Sequence, residues 1–379
     1  MPNYVEVEPR ILEWAVERSG LLADDFRQPV GDWIAGNMQP TYRKLEDFAK
    51  KARVPFAYLF LTEPPEETLP VPDYRTRDDE GVRRPSPDLI ETIFEMEDRQ
   101  VWMREYLLEN GVEKLPFVGQ FTVQDDVPDI VQSIRRYLKW DTDWTRGLSG
   151  SEDALRRLRG LIEEAGILIF INGVVGNDPT RSLAPDEFQG FVLIDDFAPL
   201  VFVNGADVKA AQLFTVAHEI AHVWLGQGAI FDEDNLFDPT DELEIKCNKI
   251  AAELLVPAER FTSLWRDQPL EDAFGSLSRE FNVSPIVIGR RALELGLVNQ
   301  RVFFRFYNDY MERLPAKKKS SGGNFYLNQN TRLGGRFGRA VVTAVREGRL
   351  SYTDAYSLTR MRGKTFDRYS KNLLQGGSE

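Results

Sequence analysis

At 379 residues the chain exceeds what one hydrophobic core usually serves, so two or three domains are expected. Hydrophobic residues (42%) and charged residues (28%) stand in ordinary globular proportion, and no run of about 18 apolar residues exists, which argues against a helical membrane span. The net charge of −13 argues against a general nucleic-acid binder.

The first ten residues hold acidic side chains and prolines instead of a basic start and an apolar run, so no secretory signal is read there. Ile11, Leu12, Trp14 and Ala15 recur at helical spacing before Gly20, and Leu45, Phe48, Ala49 and Ala52 repeat the pattern after Thr41. Pro55 is expected to break this second helix, with an apolar segment continuing to Leu61. Residues 1–65 read as one helical domain. The next stretch, 66–90, is rich in Pro, Asp and Arg and reads as an arm or linker. Helical patterns resume over 89–109, 130–140 and 152–165. After Gly166 the period changes: 167–171, 188–194 and 200–203 are short apolar runs bounded by Gly, Asn, Asp or Pro. They are expected to form a small mixed or antiparallel sheet, with turns near Asn172 and at Asp195-Asp196. A long helix over about 208–225 follows, ending at Gly226. An Asp-rich loop leads to a helix over about 241–255, stopped by Pro257. More helices run to Arg313, and 317–324 reads as a flexible linker. The expected fold class is α+β, mostly helical, with a small sheet packed on the 208–225 helix and helical N- and C-terminal domains.

The 208–225 helix carries His218-Glu219-Ile220-Ala221-His222, the pattern HExxH. Two histidines four apart sit about 40° from each other around a helix, so both imidazoles can reach one ion. Glu219 stands beside the first of them. There its carboxylate can take a proton from a zinc-activated water and pass it to a leaving amine, the arrangement of metalloproteases. The chain has only two histidines and both lie in this motif, which weighs against chance. A catalytic zinc usually takes three protein ligands, so the third is expected to be Asp or Glu. The 241–255 helix offers Glu242, Glu244 and Glu253. With Glu244 at zero, Cys247, Asn248, Ala251 and Leu255 fall within about 60° of it, a small and mostly apolar face. Glu242 and Glu253 fall roughly opposite, beside Lys246 and Lys249, and are expected in solvent. A carboxylate on the packed face needs a partner, and a zinc ion supplies one. Glu244 is therefore assigned as the third ligand.

The runs FTVAHEIAHVWLGQ, ELEIKCNKIAAELLVP and FNVSPIVIGRRALELGL are similar to the ImmA/IrrE metallopeptidases, over about residues 160–300. Glu244 stands where that family places a Glu ahead of an Ala-Asn pair, with Cys247 replacing the Ala. The resemblance implies a gluzincin-like zinc site in a domain over 91–300, and a sheet edge that holds an extended peptide. It also implies cleavage of a regulatory protein such as a repressor, in a stress, mobile-element or toxin–antitoxin setting. Residues Trp33-x-x-Gly36-x-x-x-Pro40-Thr41 and Leu45-x-x-Phe48-Ala49 resemble a degenerate Xre-type helix-turn-helix. Only 13 steps separate Gly20 from Trp33, and Asp24, Asp25 and Asp32 crowd that segment, where they would repel phosphate.

From Arg313 to Glu379 there are 14 Lys and Arg against 4 Asp and Glu, a net of +10 in a chain of −13, so the remainder carries −23. The plain reading of 301–379 is a basic lobe lying against an acidic body. The sharper one is a docking surface for nucleic acid or an acidic partner. Gly363-Lys364-Thr365 resembles the end of a phosphate loop, but Leu358 stands where its first glycine belongs. Trp140, Trp144 and Trp224 are expected in the core. The single cysteine, Cys247, cannot form an internal disulfide, which fits a cytoplasmic location, and no histidine is left to activate it as a nucleophile. The first expectation is thus a zinc endopeptidase acting on a protein substrate, away from membranes. The alternative is a non-enzymatic regulator or antitoxin that binds DNA or a partner protein and uses zinc structurally or as a sensor.

Overall fold

The computed structural model of the protein describes residues 3–67, 77–78, 81–82, 85–231, 241–265, 270–313 and 325–375. They fall into two units, one of residues 1–70 and 74–94, the other of 71–73 and 95–379.

In the first unit, α1 (Pro9–Ser19), α2 (Val30–Ile34) and α3 (Tyr42–Ala52) surround Ile11, Leu12, Trp33, Leu45 and Phe48. Gly20 closes α1 in the left-handed conformation at φ 68°, where a Cβ would be strained. Thr41 opens α3 by accepting a hydrogen bond from the Lys44 amide. A single-turn 3-10 helix over Phe56–Phe60 follows Pro55. Between α1 and α3 there is one 3-10 turn, Ala23–Asp25, and the five residues of α2. Within the expected arm, Arg77–Asp78 and Gly81–Val82 pair as a short antiparallel hairpin, β1 and β2. Helix α4 (Pro87–Glu109) starts in this unit and continues into the second.

The second unit is built on a mixed four-stranded sheet. Its strands are β3 (Leu168–Asn172), β4 (Gly190–Leu193), β5 (Leu200–Asn204) and β6 (Ala229–Phe231), in the order β3-β5-β4-β6. Strands β3 and β5 are parallel, with Leu168 opposite Leu200, and β4 runs antiparallel to both β5 and β6. Every residue of these strands is buried, which is why they read as continuous apolar runs instead of alternating ones. Strand β6 was not read from the sequence; its three residues carry too short a pattern. Helices α5 (Val127–Leu138), α6 (Ser151–Glu164) and α7 (Lys209–Leu225) share one core with the sheet, and Trp140, Trp144 and Trp224 are fully buried. Helix α8 (Glu242–Leu255) packs along α7, and Asp241 caps it through the Leu243 amide. Four further helices follow: α9 (Ala258–Trp265), α10 (Leu270–Phe281), α11 (Pro285–Glu294) and α12 (Gln300–Arg313). The fold is α+β, as the sequence pattern indicates. The Asp-rich loop and the linker expected over 317–324 lie outside the described residues. Among the described residues no helix is long and apolar enough to cross a membrane.

The C-terminal helices α13 (Phe325–Leu333), α14 (Gly335–Arg346), α15 (Tyr352–Thr359) and α16 (Lys364–Gln375) pack on the same body. Leu168 directs its amide to Pro199 in the β5 direction, so Ile169 directs its polar groups outward. Gly334 lies against that outer edge, where a Cβ would stand 2.7 Å from the Ile169 carbonyl oxygen. Polar ties hold the segment down: Gly335 N–H to Glu163 (2.7 Å), Arg159 to the Asn330 carbonyl (3.0 Å) and Arg360 to Glu95 (3.2 Å).

Candidate metal centre

His218, Glu219 and His222 face inward from α7 and are wholly buried. Two close approaches let the helix lie this deep. Gly190 on β4 leaves room where a Cβ would stand 2.6 Å from the Thr215 methyl and 3.1 Å from a Glu219 oxygen. At the helix end Gly226 adopts φ 66° and abuts Gly119.

The histidine tautomers follow from their outer partners. His218 Nδ1 lies 3.1 Å from the Asn248 side-chain oxygen, and His222 Nδ1 lies 3.1 Å from the Gln227 carbonyl. Both partners accept, so both Nδ1 atoms carry the proton and donate, leaving each Nε2 with a lone pair. Those two Nε2 atoms face each other at 3.0 Å. Glu244 completes the cluster from α8, with its oxygens 3.0 Å from His218 Nε2 and 3.4 Å from His222 Nε2. Two imidazole nitrogens and a carboxylate thus converge in a buried place, where a shared proton or a cation offsets the repulsion of their lone pairs. Two nitrogens on one tetrahedral zinc lie roughly 3.3 Å apart, given bond lengths of about 2.0–2.1 Å. The residues present therefore fit a divalent metal bound by His218, His222 and Glu244.

Electrostatics agree. Burial holds the His218 imidazole below its ordinary value, and so neutral. Burial pushes the Glu244 carboxyl up, but its contacts with His218 and His222 outweigh this and keep it well below the usual carboxylate range. Glu219 behaves oppositely: burial, then the nearby Glu244 charge, raise it well above its ordinary value. Among the described residues, neither Glu219 oxygen has a hydrogen-bond partner, and one Glu244 oxygen also lacks one. Buried oxygens without donors are costly, and a cation beside them removes the cost.

Cys247 sits closer to the centre than a packing residue need. Its sulfur and one nitrogen of each histidine lie within 4.8 Å of one another. It is wholly buried, and burial, reinforced by Glu244 and Glu219, raises its thiol well above the ordinary value. It therefore sits as a neutral thiol beside a charged carboxylate, and Glu244 is the better donor. Of the other carboxylates considered, Glu242 is exposed. Glu253 does not point into open solvent as helix geometry indicated: it pairs with Arg291 from α11 and accepts the Ala258 amide. That partner lies 38 residues away, beyond the reach of a single-helix argument.

Sequence reasoning missed Asn248, Gln227 and Gly190 as parts of the site. Asn248 falls on the same helix face as Glu244, so its outer role was open to inference. Phe231 on β6 was also missed; its ring lies 4.0 Å from the His218 ring. Beside the centre runs a cavity of about 610 Å³ whose lining includes Phe214 and Asn248. Val208, Ile245, Phe304 and Met311 also line it, each at least 36% exposed.

Residues 162–293 match the peptidase family described as the IrrE N-terminal-like domain. The chain carries an IrrE N-terminal-like peptidase domain. That domain contains the whole sheet from β3 to β6 and both helices that build the centre, α7 and α8. Residues 333–372 match a second family, described only as a domain of unknown function (DUF8813). Neither match reaches residues 1–65, so the expected helix-turn-helix has no support from family membership. No curated protein matches the chain.

Proposed function

We propose that the chain is a zinc-dependent endopeptidase that cleaves a regulatory protein. The observation that carries this reading is the pair of Nε2 atoms held 3.0 Å apart beside the Glu244 carboxylate. When bound, zinc supplies a Lewis acid that polarises the peptide carbonyl and makes water a better nucleophile. His218, His222 and Glu244 would hold it, while Asn248 and the Gln227 carbonyl orient the imidazoles. Glu219 takes the proton of the attacking water and delivers it to the leaving amine nitrogen. A raised carboxyl suits that exchange, because a more basic carboxylate takes up a proton more readily. Gly334 lies against the β3 edge, and β6 forms the opposite edge of the sheet, to which an extended substrate would add. The adjoining apolar cavity fits bulky side chains of such a segment.

The test compares the proteomes of cells carrying wild type and Glu219→Gln. One protein shortened only in the wild type is expected; identical proteomes, with zinc bound in both, would refute peptidase action. A non-enzymatic role with structural or sensory zinc is the second reading. It is favoured by the complete burial of His218, Glu219 and His222. Under it, Glu219→Gln would leave every cellular phenotype unchanged.

A further inference from the structure

Helices α15 and α16 are joined by the short turn 360–363, in which Arg360 (φ 54°) and Gly363 (φ 47°) are left-handed. Phe366 and Tyr369 turn inward from α16, and Gly338 on α14 is required where the Tyr369 hydroxyl abuts it. The opposite face of α16 carries Lys364, Arg368 and Lys371, all exposed and within about 60° of one another around the helix. Arg362 in the turn is exposed too, as are Arg339 and Arg346 on α14, which share one face of that helix. Asp367 is the one acidic residue on α16. This concentration of positive charge stands in a chain of net charge −13.

The chemistry of the face narrows its partner. Among the residues of α14 to α16 whose side chains are described, Tyr352 alone is a large, strongly exposed apolar side chain, so charge outweighs apolar area on this face. The aromatic rings of α16 are buried, so it offers no platform for unpaired bases. What remains is a cationic helix following a tight turn. Lys364 and Lys371 stand roughly 10 Å apart along the axis, comparable with the width of about 12 Å of the DNA major groove. We propose that α14 to α16 bind duplex DNA through the exposed basic face of α16, flanked by Arg339 and Arg346, chiefly by contacts to phosphates. This function is independent of the peptidase reading.

The test uses the full chain and a fluorescein-labelled mixed-sequence duplex of roughly 30 base pairs, read by anisotropy from low to moderate salt. Micromolar binding that weakens with salt is expected. The double variant Lys364→Ala/Lys371→Ala should weaken it about tenfold or more and lower the salt slope by about two, one for each lost phosphate contact. Circular dichroism should be unchanged in that variant. The control Lys44→Ala/Lys51→Ala, on α3, should bind like wild type. Absence of binding at low salt would overturn the proposal. So would equal competition by polyglutamate or single-stranded RNA at matched charge, or loss of binding in the α3 variant instead.

Discussion

The second unit uses helical charge in two opposite ways. On α7 and α8, His218, Glu219, His222 and Glu244 turn inward and are almost wholly buried. On α16, Lys364, Arg368 and Lys371 share a face with equal regularity but turn outward. Spacing decides which side chains stand together. Burial decides what they must find: a buried set without a counter-charge is unstable, whereas an exposed set is at ease in water. The first arrangement points to a tightly held ion, the second to a salt-sensitive contact.

The largest effect expected from breaking this contrast is on chemistry. Glu219→Gln should reduce cleavage by about 10² to 10⁴-fold, the usual contribution of a positioned acid–base group, while about one zinc per chain remains by metal analysis. Loss of the metal instead would make Glu219 a ligand. Next comes the identity of the third donor. Glu244→Ala should weaken zinc binding by more than the 10–100-fold typical of an outer-sphere partner, and Asn248→Ala by about that amount. Cys247→Ala should change it little; if competition titration shows it to be the damaging variant, the thiol and not the carboxylate holds the ion.

A smaller effect concerns the room that lets α7 approach the sheet. Gly190→Ala places a methyl against Thr215, the Phe202 carbonyl and Glu219, and should cost about 1–3 kcal/mol by chemical denaturation. Melting indistinguishable from wild type would show that β4 and α7 yield there. The smallest effect is on pH dependence. Glu219 is raised in the folded protein, so its contribution to stability is full below its ordinary value of 4.5 and is lost as pH rises toward the folded value. In chelator at pH 8, Glu219→Gln should melt several degrees above wild type, and the gap should close as pH approaches 4.5. A gap independent of pH would mean that Glu219 is not the titrating group.

Much of the centre was legible because it rests on local periodicity. HExxH sits on one helix, and the face of α8 separates Glu244 from Glu242 without knowledge of the fold. The cap at Thr41 and the stop at Gly226 are likewise local. What could not be read depends on distant partners. Glu253 meets Arg291 across two helices, Gly190 matters only because α7 lies on it, and the Gln227 carbonyl orients His222 only once the chain turns after Gly226. The short α2 was hidden for a related reason: Trp33 is buried by Phe48 from α3, so an apolar residue there signals packing and not helix length.

The placement of Gly334 along β3 has a consequence for how the chain can be cut. An uncovered strand edge offers its N–H and C=O groups to any passing strand. With α13 and Gly334 in place, the outward groups of Ile169 are shielded. A chain ending before residue 325 would display a five-residue edge strand, apolar except for Asn172, beside the peptidase core, an invitation to self-association. In the folded chain α13 and Gly334 cover that edge, and their removal is expected to lower solubility.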